Sequence, residues 1–296
     1  MKANKHAQVR QALRRTLDAD ELIIWPGIFD GISAKVAESA GFQALYMTGY
    51  GVAASYLGLP DAGIATYTDM VNRVAQLAKT TALPLIADAD TGYGGLLNVM
   101  HTVAGYEAAG AAAIQIEDQE FPKRCGHMLG RRVIPTQDMV AKIRVAVDTR
   151  SDPNFLIVAR TDSLTSLGVD EAMRRAEQYA MAGADILFIE GPESIEEMAR
   201  IGAAFDLPLI SSVVKGGRTP VLTTKELAQL GYKIALFPTL GFLAASKAME
   251  IGFKSLLAGT SSDDFNVPLY DFKAFSSLMG FDQVTALDDK YGEKND

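Results

Sequence analysis

Four segments of the chain repeat one pattern, in which a glycine at the end of a helical stretch is followed by a short apolar run. They are AGFQALYMT from residue 40, AGAAAIQIED from 109, AGADILFIEG from 182 and LGYKIALFP from 230. Glycine in the left-handed conformation ends a helix, and a short apolar run is typical of a strand buried on both faces. The repeat therefore predicts helix-to-strand units whose strands are parallel and fully covered.

Four further apolar runs precede or separate these segments, namely ELIIWPG from residue 21, LPLIADAD from 83, NFLIVARTD from 154 and LPLISSVV from 207. Helical stretches such as SIEEMARIGAAF separate most of the eight resulting strands. Strands and helices in this alternation predict an α/β fold, a single (β/α)8 TIM-type barrel domain over residues 1–296. The alternative is an open, doubly wound sheet, which requires a reversal of strand order that the sequence does not reveal.

The segment from about residue 262 to 296 differs from the barrel repeat. It contains DDFNVPLYDFKAFSSLMG, which carries too many apolar residues for a free tail. We expect a C-terminal helical extension that packs on the barrel or on a neighbouring subunit.

The composition excludes several classes of protein. Hydrophobic residues make up 48% of the chain, enough for a large core, and no apolar run reaches the roughly 18 residues that a membrane span needs. A formal net charge of −8 argues against nucleic acid as the main partner. The single cysteine and the polar N-terminus without a signal peptide predict a cytoplasmic protein.

Chemically useful residues gather directly after the predicted strands. In such a barrel the carboxyl ends of the strands form one rim, and that rim holds the functional residues. The residues at these positions include Thr48, Gly49, Asp88, Asp90, Glu117, Asp118, Arg160, Thr161, Asp162, Glu190, Ser211 and Ser212. Carboxylates, one arginine and small hydroxyls on one rim predict an enzyme for a small anionic substrate.

Asp88 and Asp90 form an Asp-x-Asp pair at the end of a strand. In extended backbone this spacing places both side chains on one side, and two close carboxylates repel unless a cation or a proton lies between them. Together with Glu117 after the next strand, these hard oxygen ligands favour Mg²⁺ or Mn²⁺. The alternative is that the pair caps the following helix.

The single cysteine, Cys125, lies in the loop EDQEFPKRCGHMLGRR, with His127 two residues later. Zinc is disfavoured because no second cysteine or matched histidine spacing is present. A lone cysteine is often a small apolar core residue, but the basic neighbours Lys123 and Arg124 do not suit a core and favour the thiolate. The pattern is typical of a nucleophile or a proton donor.

Arg160 directly follows four apolar residues at its strand end. Such an arginine either forms a structural salt bridge, here with Asp162 or Glu190, or binds a substrate carboxylate through two hydrogen bonds. The residues alone leave both roles open.

The segment KRCGHMLGRR closely resembles the cysteine signature of the isocitrate lyase/phosphoenolpyruvate mutase superfamily. The resemblance continues through YMTGYGVAASYLGLPDAG, LPLIADADTGYGG, AAIQIEDQ, IVARTDS, FIEGPES and GGRTPVLTTKELAQLGYK, and it covers about residues 20 to 260 in order. Within the superfamily the chain is most similar to the short lyases that act on 2-methylisocitrate or 2,3-dimethylmalate, with the oxaloacetate hydrolases near them.

The resemblance implies a role for individual residues. Mg²⁺ (or Mn²⁺) would bind to Asp88 and Asp90, with Glu117 and Asp61 around it. The implied catalytic residues are Cys125, which exchanges a proton with the carbon that becomes a carbanion, Glu117, and Tyr46; the base would be Tyr46 or a carboxylate near the metal. The implied substrate-binding residues are Thr48, Gly49, Asp61, Gly126, His127, Arg160, Glu190 and Ser212.

The implied activity is cleavage of a carbon–carbon bond in a 2-hydroxy di- or tricarboxylate, by retro-aldol chemistry, to pyruvate and a second carboxylate. Ser212 stands where these lyases carry asparagine, and Val213 and Val214 suit an apolar substituent. A branched dicarboxylate such as an alkylmalate is therefore favoured over the tricarboxylate 2-methylisocitrate.

Three alternatives remain. Oxaloacetate hydrolysis or decarboxylation shares the cysteine loop and the metal site, whereas phosphonomutases lack the cysteine that Cys125 matches. A non-catalytic barrel used for binding or assembly predicts loss of the rim charges, which are present. The resemblance also implies a homo-oligomer, a homotetramer built as a dimer of helix-swapped dimers.

Overall fold

Eight parallel strands close into one barrel, in which each strand pairs with the next in the chain and β8 pairs with β1. The computed structural model describes residues 5–126, 128, 130–261 and 266–292. The strands are β1 (Ile23–Ile28), β2 (Leu45–Met47), β3 (Leu85–Asp88), β4 (Ala113–Glu117), β5 (Leu156–Thr161), β6 (Ile186–Ile189), β7 (Leu209–Ser212) and β8 (Ile234–Phe237). The predicted (β/α)8 barrel is confirmed, and the doubly wound alternative is wrong because the strand order has no reversal.

Helices cover the outside of the barrel and connect its strands. In the described residues they are α1 (Lys5–Asp18), α2 (Gly31–Ser39), α3 (Gly49–Val52), which continues as a π-helical turn (Ala53–Leu57), α4 (Tyr67–Thr80), α5 (Leu96–Ala109), α6 (Thr136–Thr149), α7 (Leu164–Leu167), α8 (Val169–Met181), α9 (Ile195–Gly202), α10 (Thr224–Gln229), α11 (Leu240–Leu257), α12 (Phe272–Leu278) and α13 (Phe281–Tyr291).

Side-chain oxygens begin several of these helices. Asp30, Thr66 and Thr223 each form a reciprocal capping box at the first turn of α2, α4 and α10. Such a cap stabilises a helix by about 1 kcal/mol because it satisfies backbone N–H groups that have no partner in the first turn. These polar residues therefore mark helix starts in the sequence and are not part of the rim chemistry.

The interior of the barrel is filled by side chains. Trp25, Tyr46 and Phe188 belong to the apolar cluster inside the barrel, and Leu13 of α1 joins this cluster. A second cluster fills the layer between the strands and the helices. Because the interior of the barrel is packed, the rim at the carboxyl ends of the strands is where a ligand is expected.

The last three helices expose apolar surface. Neither α12 nor α13 contains a buried residue, and α12 contacts α2. The exposed apolar side chains include Leu243, Phe253, Leu257, Phe272, Phe281 and Leu287. The described part of the C-terminal extension is thus helical, and its exchange between subunits stays a prediction. None of the described helices has the length and apolar character needed to cross a membrane.

Candidate active site

The Asp-x-Asp pair lies beside the backbone that follows β2. Asp88 is the last residue of β3, and Asp90 has a positive φ of 47°, so the prediction of an extended backbone at this pair is wrong. The two side chains nevertheless lie near each other, since a methyl group on Gly49 would be within 3.6 Å of an oxygen of each. Oδ1 of Asp88 accepts the N–H of Asp90 at 3.0 Å, and Oδ2 accepts the N–H of Gly49 at 3.2 Å. A methyl group on Gly49 would lie only 2.6 Å from Asp88 Oδ2, so glycine permits this approach.

A lysine from the cysteine loop reaches this acidic pair. Nζ of Lys123 lies 2.5 Å from Oδ1 of Asp61 and 2.6 Å from Oδ1 of Asp90. Burial disfavours the ammonium form, but the nearby carboxylates of Asp90, Glu117 and Asp61 hold the pKa of Lys123 well above its usual value. Lys123 is therefore a buried cation inside an acidic cluster.

The acidic cluster carries more negative than positive groups. Asp61, Asp88, Asp90 and Glu117 surround Lys123, and burial, together with Asp88 and Asp61, raises the pKa of Asp90 to about 6 despite the lysine. Closely spaced buried carboxylates of this kind accommodate a hard divalent cation. The donor chemistry fits Mg²⁺, although within the described residues no three acidic, histidine or cysteine side chains are already assembled as metal ligands.

Glu117 at the end of β4 faces the acidic cluster and Arg160. Its Oε2 lies 3.4 Å from Nε of Arg160, and its buried Oε1 has no hydrogen-bond partner. Burial raises the pKa of Glu117 well above its usual value, opposed by the charge of Arg160. A buried carboxyl group with one unsatisfied oxygen is able to exchange a proton or to accept a ligand.

Arg160 at the end of β5 is held by three carboxylates. Its Nε and Nη2 each donate to Asp162 at 2.9 Å, and its Nη2 lies 3.5 Å from Oε2 of Glu190. The Phe188 ring lies beneath the guanidinium, 5.0 Å from ring centroid to Cζ. Arg160 therefore forms the salt bridges with Asp162 and Glu190 that were one of its two predicted roles. It also lines the cavity described below.

The cysteine loop covers these groups. Its two ends are joined by an antiparallel bridge between Gln119 and Val133 and by a hydrogen bond of 2.8 Å from the N–H of Glu120 to the carbonyl of Arg132. Gly126 packs on Arg160, since a methyl group there would lie 2.2 Å from Nη2. Cys125 is partly exposed and lines the same cavity.

A small cavity of about 40 Å³ lies under this loop. The loop that carries Cys125 forms one wall of this cavity, so its position sets the space available to a ligand. Its polar wall is lined by Tyr46, Thr48, Tyr50, Asp61, Asp88, Glu117, Lys123, Cys125, Gly126, Arg160, Glu190, Ser212 and Thr239. Its apolar wall is lined by Phe188, Leu236 and Pro238.

Most of the residues that the sequence singled out meet at this cavity. Gly49 and Asp90 do not line it but contact Asp88 and Lys123. His127 lies outside the described residues. Val213 and Val214 are buried but do not line the cavity, so the apolar wall comes from other strands than expected.

The lining residues that the sequence did not predict as part of the site are Lys123, Phe188, Leu236, Pro238 and Thr239. Leu236 and Pro238 lie at the end of β8. The carboxyl end of this strand also belongs to the functional rim, but no charged residue marks it in the sequence. The sequence indicates Lys123 only as a basic neighbour of the thiol, because its contact with Asp61, 62 positions away, depends on the loop conformation.

Tyr46 of β2 is buried below the carboxylates. Burial, followed by the charge of Asp88, raises its pKa well above the usual value for a phenol. At neutral pH Tyr46 is therefore protonated.

A closed parallel barrel with an acidic cluster, a buried arginine and a cysteine loop at its carboxyl rim defines a class of (β/α)8 enzymes for small anions. The phosphoenolpyruvate phosphomutase family profile matches residues 13–257. A 2,3-dimethylmalate lyase from Eubacterium barkeri is 45% identical over 283 residues, covering 94% of this chain and 96% of the relative. A 2-methylisocitrate lyase from Aeropyrum pernix is 38% identical over 282 residues, covering 95% and 91%.

A solved structure of a related enzyme has the same fold. An oxaloacetate acetylhydrolase in complex with the inhibitor 3,3-difluorooxalacetate superposes with a TM-score of 0.90 at 35% identity, covering 98% of this chain and 99% of the other. The chain belongs to the phosphoenolpyruvate mutase/isocitrate lyase superfamily. It is an enzyme of the carbon–carbon lyase type.

Proposed function

We propose that this enzyme cleaves a branched 2-hydroxydicarboxylate, of the 2,3-dialkylmalate type, to pyruvate and a second carboxylate. The observation that carries the proposal is that a thiol, a guanidinium and an acidic cluster face one cavity that also has an apolar wall. Similarity to the dimethylmalate lyase over nearly the whole chain supports the same substrate class.

The two ends of the substrate meet different groups. The carboxylate of the pyruvate half binds Arg160, whose guanidinium is held in place by Asp162. The N–H groups after Thr48 lie beside the same half, next to Asp88. The alkyl substituents contact Phe188, Leu236 and Pro238, because apolar groups gain about 25 cal/mol per Å² when they leave water.

A divalent cation belongs at Asp88 and Asp90, with Glu117 and Asp61 close by. When bound, Mg²⁺ or Mn²⁺ supplies a Lewis acid that stabilises negative charge on the substrate oxygens.

Proton transfer is divided between two side chains. Glu117 accepts the proton of the 2-hydroxyl group, since a carboxylate with a raised pKa is a stronger base. The C2–C3 bond then breaks, the pyruvate half leaves as the ketone, and the electron pair of the bond stays on C3. Cys125 donates its proton to this carbon, which completes the second carboxylate. Tyr46 stays protonated.

Lys123 and the loop protect the reacting carbon from water. The ammonium group of Lys123 ties the loop to Asp61 and Asp90, so closure brings Cys125 over the cavity. A closed loop excludes solvent from a strongly basic carbanion, which water would otherwise quench before ordered protonation.

The test is a product assay on purified enzyme with Mg²⁺, using 2,3-dimethylmalate, other alkylmalates, 2-methylisocitrate, isocitrate and oxaloacetate. We expect pyruvate from the alkylmalates, with the highest kcat/KM for a 2,3-dialkylmalate. The matched control is Cys125→Ser, which lacks the proposed proton donor. Oxalate from oxaloacetate as the main activity would instead support an oxaloacetate hydrolase and would overturn the lyase proposal.

A further inference from the structure

One buried carboxylate, Asp162, is shared by two arginines. Nε and Nη2 of Arg160 each donate to it at 2.9 Å, and Nη1 of Arg131 lies 2.5 Å from its Oδ1. The side chains of both Arg131 and Asp162 are completely inaccessible to solvent. The two guanidinium groups hold the pKa of Asp162 below its usual value, although burial acts in the opposite direction.

Arg131 belongs to the cysteine loop, not to the barrel. It lies next to the end of the loop, where the carbonyl of Arg132 accepts the N–H of Glu120. Its Nη2 also donates to Oγ1 of Thr165 at 2.8 Å, in helix α7. Arg131 therefore joins the loop that carries Cys125 to the segment that follows β5.

The sharing of Asp162 has an electrostatic consequence for Arg160. One carboxylate cannot neutralise two guanidinium groups, and the other acids near Arg160 are more distant, at 3.4 Å for Glu117 and 3.5 Å for Glu190. Without Arg131, Asp162 would interact with Arg160 alone and neutralise it more completely. With Arg131, more of the positive charge of Arg160 is available to an anion in the cavity.

We propose that Arg131 is a positioning residue that couples the closed state of the cysteine loop to binding of the substrate carboxylate at Arg160, through their common partner Asp162. The proposal rests on the proposed function, in which Arg160 binds a carboxylate. Gly126 supports the coupling from the other side of the loop, because it packs directly on Arg160 Nη2.

The experiment compares Arg131→Met and Arg131→Lys with wild type, and with the control Arg132→Met. Arg132 is the neighbouring arginine of the same loop, its side chain is 77% exposed, and it pairs only with the partly exposed Glu120 among the ion pairs in the described residues. Oxalate is the probe, and its affinity is measured by calorimetry with saturating Mg²⁺. The rate of Cys125 alkylation by iodoacetamide, with and without oxalate, reports the state of the loop.

We expect Arg131→Met to weaken oxalate binding by about 10-fold or more and to abolish most of the protection of Cys125 by oxalate. Arg131→Lys keeps a positive charge and is expected to restore part of both. Arg132→Met is expected to match wild type. Arg131→Met removes a buried cation, which can impair folding, so Thr165→Val is included as a milder change. It removes one hydrogen bond of Arg131. We expect it to weaken oxalate binding and the protection of Cys125 less than Arg131→Met does.

Two results would overturn the inference in different ways. In the first, the folded variants Arg131→Met and Thr165→Val bind oxalate as tightly as wild type, oxalate still protects their Cys125, and only the melting temperature falls. Arg131 is then structural, and the proposed function is unaffected. If wild type itself neither binds oxalate nor cleaves any alkylmalate, the proposed function fails and the inference fails with it.

Discussion

Nζ of Lys123 lies 2.6 Å from Oδ1 of Asp90, so the loop that carries Cys125 reaches the Asp-x-Asp pair through a buried ion pair. The Lys123 ammonium group thus offsets part of the negative charge of the acidic cluster. Because Lys123 belongs to the cysteine loop, movement of the loop would change the net charge of that cluster.

Replacing Lys123 tests that link. We expect Lys123→Met to lower the free energy of unfolding by about 3–5 kcal/mol without metal, because the loss of one partner leaves buried charges unpaired. The affinity for Mg²⁺ should rise by about 10-fold, since a competing positive charge is gone. Thermal melts and calorimetric Mg²⁺ titrations measure both effects, with the exposed Lys225→Met as control. Weaker Mg²⁺ binding in Lys123→Met would contradict the account.

Cys125→Ser separates binding from turnover. The serine hydroxyl has nearly the same size but is a much weaker acid than a thiol, so kcat should fall by about 10²- to 10⁴-fold while the affinities for Mg²⁺ and pyruvate stay close to wild type. Steady-state kinetics and calorimetry give the two quantities. Undiminished turnover in this variant would exclude Cys125 as the proton donor.

Asp88→Asn tests the metal site. The substitution keeps the shape of the side chain but removes the charge between Gly49 and Asp90, so we expect loss of Mg²⁺-dependent activity by at least about 10²-fold. Asp170→Asn is the control, because the Asp170 side chain is 87% exposed. Activity that survives in Asp88→Asn and resists EDTA would refute the assignment of a metal to this pair.

The pH dependence of stability tests the shared carboxylate. The pKa of Asp162 is lowered in the folded protein, so its ionised form stabilises the fold above the unfolded value of about 3.9, and this contribution is lost as the pH falls through the lower folded value. We therefore expect the difference in unfolding free energy between wild type and Asp162→Asn to be constant from pH 8 to about 5 and to shrink below about 4. Denaturant unfolding at each pH measures it. A difference that grows on acidification would contradict the charge state given to Asp162.

The apolar surface of α11–α13 predicts association of subunits. Leu257, with 91% of its surface exposed, lies at the end of α11, and apolar side chains of α12 and α13 are exposed as well. We expect a homo-oligomer by analytical ultracentrifugation, and a shift toward smaller species in Leu257→Asp. Met181→Asp is the control, because Met181 is 74% exposed on α8, away from these helices. A monomeric wild type would rule out a subunit interface on this surface.

The barrel was predictable because each of its units repeats a local signal. Four of the eight strands follow a glycine that ends a helix, and eight buried apolar strands that alternate with helices predict a barrel; the strand order of the structure then excludes the open sheet. Asp88, Glu117 and Arg160 were predictable as site residues because they lie at the carboxyl ends of barrel strands.

Other parts of the site depend on contacts that are distant in the sequence. The position of Lys123 follows from the path of the cysteine loop and from ion pairs with Asp61 and Asp90, which no local pattern encodes. Asp90 has a left-handed backbone, which is uncommon for a residue other than glycine and which the spacing rule for extended chains does not anticipate. The apolar wall at Leu236 and Pro238 carries no charge that would distinguish it from core.

The central claim is that the enzyme breaks a carbon–carbon bond and protonates the resulting carbanion from Cys125. The most direct measurement is the reaction of 2,3-dimethylmalate with enzyme and Mg²⁺ in D₂O, with both products identified by NMR. The account predicts pyruvate and propionate in equal amounts, with one deuterium in a single configuration at C2 of propionate when it is analysed as a chiral ester, because Cys125 delivers the deuterium to one face of the carbanion. Absence of cleavage, or propionate with deuterium in both configurations at C2, would contradict it.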